Sequence, residues 1–180
     1  KLILDDKLEV KDLVPNPILI RNKNNIEIVT EKALHNLILE NIESFMKELG
    51  ISFSFIGSEY NIKMVDRNHH IDLLLFNIKF NCYVVVELKT VKFIPEFAGK
   101  LNFYLNAVDM LLKKEDDNPT IGILLCRDEH KLTAELALKD INKPIGVAEY
   151  KYLQEIPEYL ANNLPSIEAL EKRLNNKDES

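Results

Sequence analysis

Apolar residues along the chain recur with two periods, and the switches between them mark the elements. Over residues 30–49 the spacing is helical: Ile38, Ile42, Phe45 and Leu49 form a stripe, flanked by Leu34 and Met46. Thr30 suits the N-cap of this helix and Gly50 its C′ position. Over 52–65 the period drops to two, with Phe53 and Phe55 on one side and Ser52 and Ser54 on the other, which predicts a strand and its return. Two apolar runs, Ile71–Phe76 and Tyr83–Leu88, are joined by the short polar-flanked link Asn77–Asn81 and read as a hairpin. Helical spacing returns over 95–113, where Pro95 fits the first turn and Phe97, Leu101, Tyr104, Val108 and Leu111 or Leu112 form the core stripe. Gly99 inside this helix costs about 1 kcal/mol relative to Ala, which predicts close packing against strands there. A strand at 120–126, a helix at 131–140 and a short strand at 145–149 follow. Helices near 152–160 and 166–174, split by Pro165, close the domain. Strands separated by helices predict an α/β fold, a mixed β-sheet with covering helices.

Patterning is weak over residues 1–29, where Pro15-Asn-Pro17 interrupts regular structure and Arg21–Asn25 reads as a loop. This stretch is expected to be an extended or partly helical arm, ahead of one domain at 30–174 and a polar tail at 175–180. A length of 180 residues fits a single domain with a full core. With 46% apolar and 29% charged residues, the composition is that of an ordinary soluble globule. No apolar run approaches the ~20 residues of a membrane span, and the first residues lack the pattern of a signal peptide. A cytoplasmic location is the resulting expectation, and Lys1 in place of Met reads as the start of a piece of something longer. Cys82 and Cys126 both lie in apolar runs and read as small buried hydrophobes in a reducing compartment. A zinc site combining them with His69 and His70 has no compact ligand spacing behind it.

The chemistry concentrates in the hairpin. If it folds symmetrically about its link, Asp72 and Glu87 stand opposite each other, with Cβ atoms roughly 5 Å apart. Glu87 and Lys89 share a face, with Val84, Val86 and Leu88 on the other. Asp72 shares its face with His70 and Leu74, and Ile71, Leu73 and Leu75 take the other. Facing carboxylates repel, so a positive group is expected between them, and a hard divalent cation fits because Mg²⁺ takes one or two carboxylates plus phosphate oxygens. A Lys89–carboxylate salt bridge with an incidental third charge is the bland alternative. Extending the first helix's stripe backward reaches His35 and Glu31, two polar residues that can point into the same cavity; Glu31 also reads as a first-turn acid favoured by the helix dipole. The net charge of −6 requires any contact with nucleic acid to use a local basic patch, for which Lys63, Lys92 and Lys100 are candidates. Glu59 reads either as an additional acid near the metal or, preferably, as an exposed edge residue, and the Asp116-Asp117 pair reads as solvent-facing.

Asp72 followed by Glu87-Leu88-Lys89 after an apolar strand resembles the D…ExK signature of the PD-(D/E)xK nuclease superfamily. The stretches Glu48–Gly57, Ile71–Phe76, Val85–Lys89, Phe93–Leu105, Ile121–Cys126 and Pro144–Tyr150 resemble the C-terminal domain of the YhcG-like nuclease family, over roughly residues 30–170. The resemblance implies a restriction-endonuclease-like core, DNA as partner and metal-dependent cleavage. It implies Asp72 and Glu87 as ligands of Mg²⁺, with Mn²⁺ as substitute, and Lys89 as the group that positions water or stabilises the phosphate. It adds Glu31 as a fourth group at the metal, because related nucleases use an acid from the first helix. Lys100 and Asn102 stand where such enzymes place a polar residue that supports the metal or meets phosphate, and Lys92 is a further substrate-binding candidate. Two departures stand out: Lys100 replaces the family's usual glutamine before Leu101, and Glu59 lies in a stretch that often carries glutamine. In the family a helical domain usually precedes this one; that domain and a second copy of the chain are further expected partners. The competing reading is a nuclease-like binding or protein-interaction module with little catalysis. No Ser/His/Asp arrangement and no glycine-rich phosphate loop supports other hydrolase classes.

Overall fold

Alternation within the apolar runs builds one sheet, and the helical stripes cover both of its faces. The computed structural model describes residues 9–154 together with Ser166 and Glu168. In chain order the elements are a 3₁₀ turn at Val10–Asp12, β1 (Ile18–Arg21), α1 (Glu31–Glu40), α2 (Ile42–Leu49), β2 (Phe53–Lys63), β3 (Asn68–Asn77), β4 (Cys82–Leu88), α3 (Pro95–Leu111), β5 (Asn118–Cys126), α4 (Lys131–Leu138) and β6 (Ile145–Leu153). The six strands are ordered β1-β6-β5-β4-β3-β2. The first four in that order run parallel, and β3 and β2 are antiparallel to their neighbours. One face carries α1 and α2, whose Leu34, Ile38, Phe45 and Leu49 pack on Leu73, Leu75, Val84, Val86, Leu88 and Ile123. The other carries α3 and α4, whose Leu101, Leu105, Val108 and Ala134 pack on Leu74, Val85 and Leu124. The mixed sheet with covering helices is therefore as the sequence predicts. The two cysteines are buried on opposite faces, Cys82 in the first cluster and Cys126 in the second, so they are packing residues and share no site.

Several elements differ from the sequence reading. The first helix is two helices. Asn41 breaks the run: its backbone leaves the helical region at φ −119°, ψ 31°, and its side-chain amide donates to the Leu37 carbonyl at 3.0 Å. Such local bonds are how asparagine competes with a continuing helix. Residues 52–65 make no strand and return. They form one long strand whose partner is β3, with a bulge between Phe55 and Gly57. The described part of the expected arm at 1–29 is integral to the fold. Val10, Val14, Ile18 and Ile20 are buried in the first cluster, and β1 pairs in parallel with β6. The run Ile18–Arg21 is too short for its alternation to stand out beside two prolines. Strand β6 continues to Leu153, so Tyr152 and Leu153 belong to a strand and not to the start of a helix. The rest of the two closing helices, Gln154, Ser166 and Glu168 apart, and the polar tail lie outside the described residues.

The close approach expected at Gly99 occurs elsewhere. Gly99 has open space where a Cβ would stand, whereas a Cβ on Gly122 of β5 would lie 2.9 Å from Leu101 Cδ2 and 3.0 Å from its Cγ. Helix α3 thus rests directly on the backbone of β5. Leu101 is fully buried and has little room to yield. Gly122→Ala is expected to destabilise the protein by about 1–3 kcal/mol through overpacking. Gly99→Ala should stabilise by about 0.5–1 kcal/mol through helix propensity. Urea unfolding midpoints check both; equal shifts in one direction would contradict this packing.

Candidate active site

The sheet splits where the charged residues gather. Strands β3 and β4 pair from Asn77–Cys82 up to Leu73–Val86 and then part. The next step of that register sets Asp72 against Glu87, as hairpin symmetry predicts. Asp72 is also missing from the paired residues of β2, where Glu59 opposite it is exposed and holds a left-handed φ of 45°. Side-chain alternation slips at this point: Ile71 joins Leu74 in the cluster beneath α3, instead of sharing a face with Leu73 and Leu75. With β3 gone, the Leu88 N–H donates to Asp72 Oδ2 at 2.8 Å. The carboxylate replaces the lost strand, so Asp72 is fixed by the backbone of the next acid's neighbour.

Both helical layers reach this fork. From α1, His35 is buried and its Nε2 lies 3.2 Å from the Asp72 carbonyl; a carbonyl only accepts, so Nε2 carries the proton. Glu31, in the first turn after the Thr30 cap, places Oε1 3.3 Å from Lys89 Nζ and is half-exposed. From α3, Lys100 Nζ stands 3.7 Å from Glu87 Oε2, and the Phe97 ring lies under Lys89 Nζ at 4.7 Å. Glu87 and Lys89 are 2% and 8% exposed, so an acid near the end of β4 and a lysine just past it are held almost dry.

Burial pushes the Asp72 carboxyl above its usual range, against the Leu88 N–H and the charges of Lys100, His35 and Lys89. Burial, and then repulsion from Asp72, raises Glu87 as well, against Lys100 and Lys89. Glu87 Oε1 is buried and has no hydrogen-bond partner. A buried carboxylate oxygen left bare beside a second carboxylate is costly unless a cation meets it. The donor set thus fits a hard divalent ion. Among the described residues no three His, Cys, Asp or Glu side chains converge as ligands, which leaves the remaining positions to water or phosphate oxygens, as Mg²⁺ prefers.

The fold therefore brings together Asp72, Glu87, Lys89, Glu31 and Lys100, with Glu31 meeting Lys89 at 3.3 Å. No hydrogen bond or ion pair among the described residues joins Asn102 or Lys92 to them. Asn102 Oδ1 is buried without a partner, and Lys92 is exposed in a loop that bridges Asp128. Sequence reasoning placed Phe97 and Tyr104 in the core stripe only; both also face the charged groups, Phe97 under Lys89 and Tyr104 5.5 Å from Lys100. Their positions three residues before and four after Lys100 were the available signal.

Residues 11–165 match the family described as YhcG PDDEXK nuclease domain. A curated relative, "Putative nuclease YhcG" of Escherichia coli (strain K12), is 30% identical over 141 residues, covering 78% of this chain. The chain spans 38% of that relative's length. Among solved structures, a repair endonuclease from Pyrococcus abyssi superposes with a TM-score of 0.44 at 20% identity, over 72% of this chain and 49% of that one. EndoMS in its apo form gives 0.43 at 20% identity, over 73% and 49% of the two chains. EndoMS in a complex with dsDNA gives 0.45 at 18% identity, over 76% and 51%.

Proposed function

Because the chain belongs to the YhcG PDDEXK nuclease domain family, we propose that it hydrolyses phosphodiester bonds of DNA as a divalent-metal-dependent endonuclease. The observation that carries this reading is the bare, buried Glu87 Oε1 beside Asp72, with two lysines next to it. Asp72 and Glu87 would hold Mg²⁺, or Mn²⁺ in its place, and the bound ion supplies Lewis acidity toward a phosphoryl oxygen and a water of lowered pKa.

The chain's own residues do the rest. Lys89 is held between the Glu31 carboxylate and the Phe97 ring, which leaves its ammonium few rotamers. In that dry position a positive charge meets negative charge developing on the phosphate at little reorganisation cost. Glu31 is the positioning residue for Lys89. His35 fixes the backbone of Asp72 from below. Lys100, half-exposed, offsets the acid pair and offers a point charge to an incoming phosphate.

The test is incubation of supercoiled plasmid with Mg²⁺ or Mn²⁺ against an EDTA control. Nicked or linear product in the metal lanes alone is the expected result. No cleavage of duplex, branched or single-stranded DNA with either ion would overturn the catalytic reading in favour of a binding module.

A further inference from the structure

Between α3 and the start of β3 a cleft of about 310 Å³ is lined by Arg67, His69, Lys100, Phe103 and Tyr104. We propose that this cleft takes one unstacked base of the strand next to the scissile phosphate, so that DNA with an unpaired nucleotide beside the cut is bound in preference to uninterrupted duplex. The scissile-phosphate half of this statement rests on the nuclease reading above; the base site stands on the cleft itself.

The lining is three rings and two cations, the combination by which proteins hold unpaired nucleotides: bases stack on rings while cations meet the backbone. Phe103 is a large aromatic left 42% exposed, because the core face of α3 is taken by Leu101, Tyr104, Leu105 and Val108. Its ring is braced by His69 at 5.0 Å, tilted by 52°, and by Tyr104 at 6.0 Å. His69 Nε2 is buried and lacks a hydrogen-bond partner, which a base edge can supply. The volume is at the low end for ligand pockets and is ample for a single base. A paired base in a duplex has both faces covered, so only an unpaired one can enter. Lys100 belongs to both places: its Nζ is 3.7 Å from Glu87 Oε2 and 5.5 Å from the centre of the Tyr104 ring. A nucleotide in the cleft therefore sits one side chain away from the acids. Arg67, at the β2–β3 turn and only loosely paired with Asp66 at 3.7 Å, stands at the cleft as the second cation. In a chain of net charge −6 such a local pair of cations matters.

The experiment uses the chain with a forked oligonucleotide carrying 2-aminopurine at the first unpaired position, and a continuous duplex carrying it at the same place. Ca²⁺ is present to neutralise the acids. The expected result is tighter binding of the fork and a change in 2-aminopurine emission on the fork alone. Phe103→Leu should weaken fork binding about 5- to 150-fold and remove the emission change, and Phe103→Trp should restore both. Arg67→Gln should weaken fork binding with the emission change retained. Equal binding of fork and duplex, or a folded Phe103→Leu protein that binds the fork as the parent does, overturns the base site. A Phe103-dependent emission change with no cleavage in Mg²⁺ or Mn²⁺ keeps the base site and removes the nuclease reading instead.

Discussion

Lys89→Met is expected to lower DNA cleavage by about 100- to 10,000-fold, the range associated with losing one positioned catalytic group, while Mn²⁺ binding survives or tightens. Methionine keeps the apolar stem that packs under the site and removes only the ammonium. Metal binding should hold because Lys89 is a neighbouring positive charge that competes with a cation for the acids. The fold should hold because the partner left behind, Glu31, is half-exposed and can turn to water. Near-parental melting, retained heat of Mn²⁺ binding and lost plasmid cleavage together make the expected pattern. A folded Lys89→Met protein that cuts at the parental rate would falsify the assigned role, whatever the fold.

The second large effect is the coupling of metal to stability. In the parent, the buried Glu87 carboxylate and the half-buried Asp72 carboxylate repel, and an ion bound only by the folded state stabilises it by mass action, about 2.7 kcal/mol at 100 times Kd. For a chain of this size that raises Tm by about 5–10 °C. Asp72→Asn should abolish this rise. It should leave the metal-free protein as stable as the parent or more so, because one of two like charges has gone and the amide oxygen can still accept from Leu88 N–H. Asp72→Ala is a different experiment: it strands that N–H and should cost about 1–3 kcal/mol. Thermal melts with and without Mn²⁺ separate the three proteins. An unchanged Mn²⁺ shift in Asp72→Asn would show that the ion sits elsewhere.

The hairpin was legible because two apolar runs of similar length flank a short link, so one symmetry fixes its register. That same register sets Asp72 against Glu87, and period-two alternation sets Lys89 beside Glu87. Glu31 was legible as facing the site because the stripe of α1 carries it there, but its distance from Lys89 depends on how far α1 overhangs the sheet. The sequence could not show that Asp72 would replace a missing strand, since the fork depends on where two chains stop pairing. Gly99 and Gly122 look equally suited to a close contact. Gly99, however, is two residues from Leu101 and so turned away from the buried stripe, a clue that residue counting alone contains. The cleft of Arg67, His69 and Phe103 joins a turn, a strand and a helix that are adjacent only after folding.

Glu31 and His35 come from the layer on one face of the sheet, Lys100 and Phe97 from the layer on the other, and the acids from the seam between them. The constellation is thus complete only while both layers are docked. Proteins open locally, in cooperative units that lift away at less free energy than global unfolding requires. If α1 lifts, Lys89 loses its carboxylate partner and the Asp72 carbonyl loses its imidazole; if α3 lifts, Glu87 loses its cation. A half-open chain consequently carries the acids without the geometry around them, so the completeness of the site follows the docking of both layers.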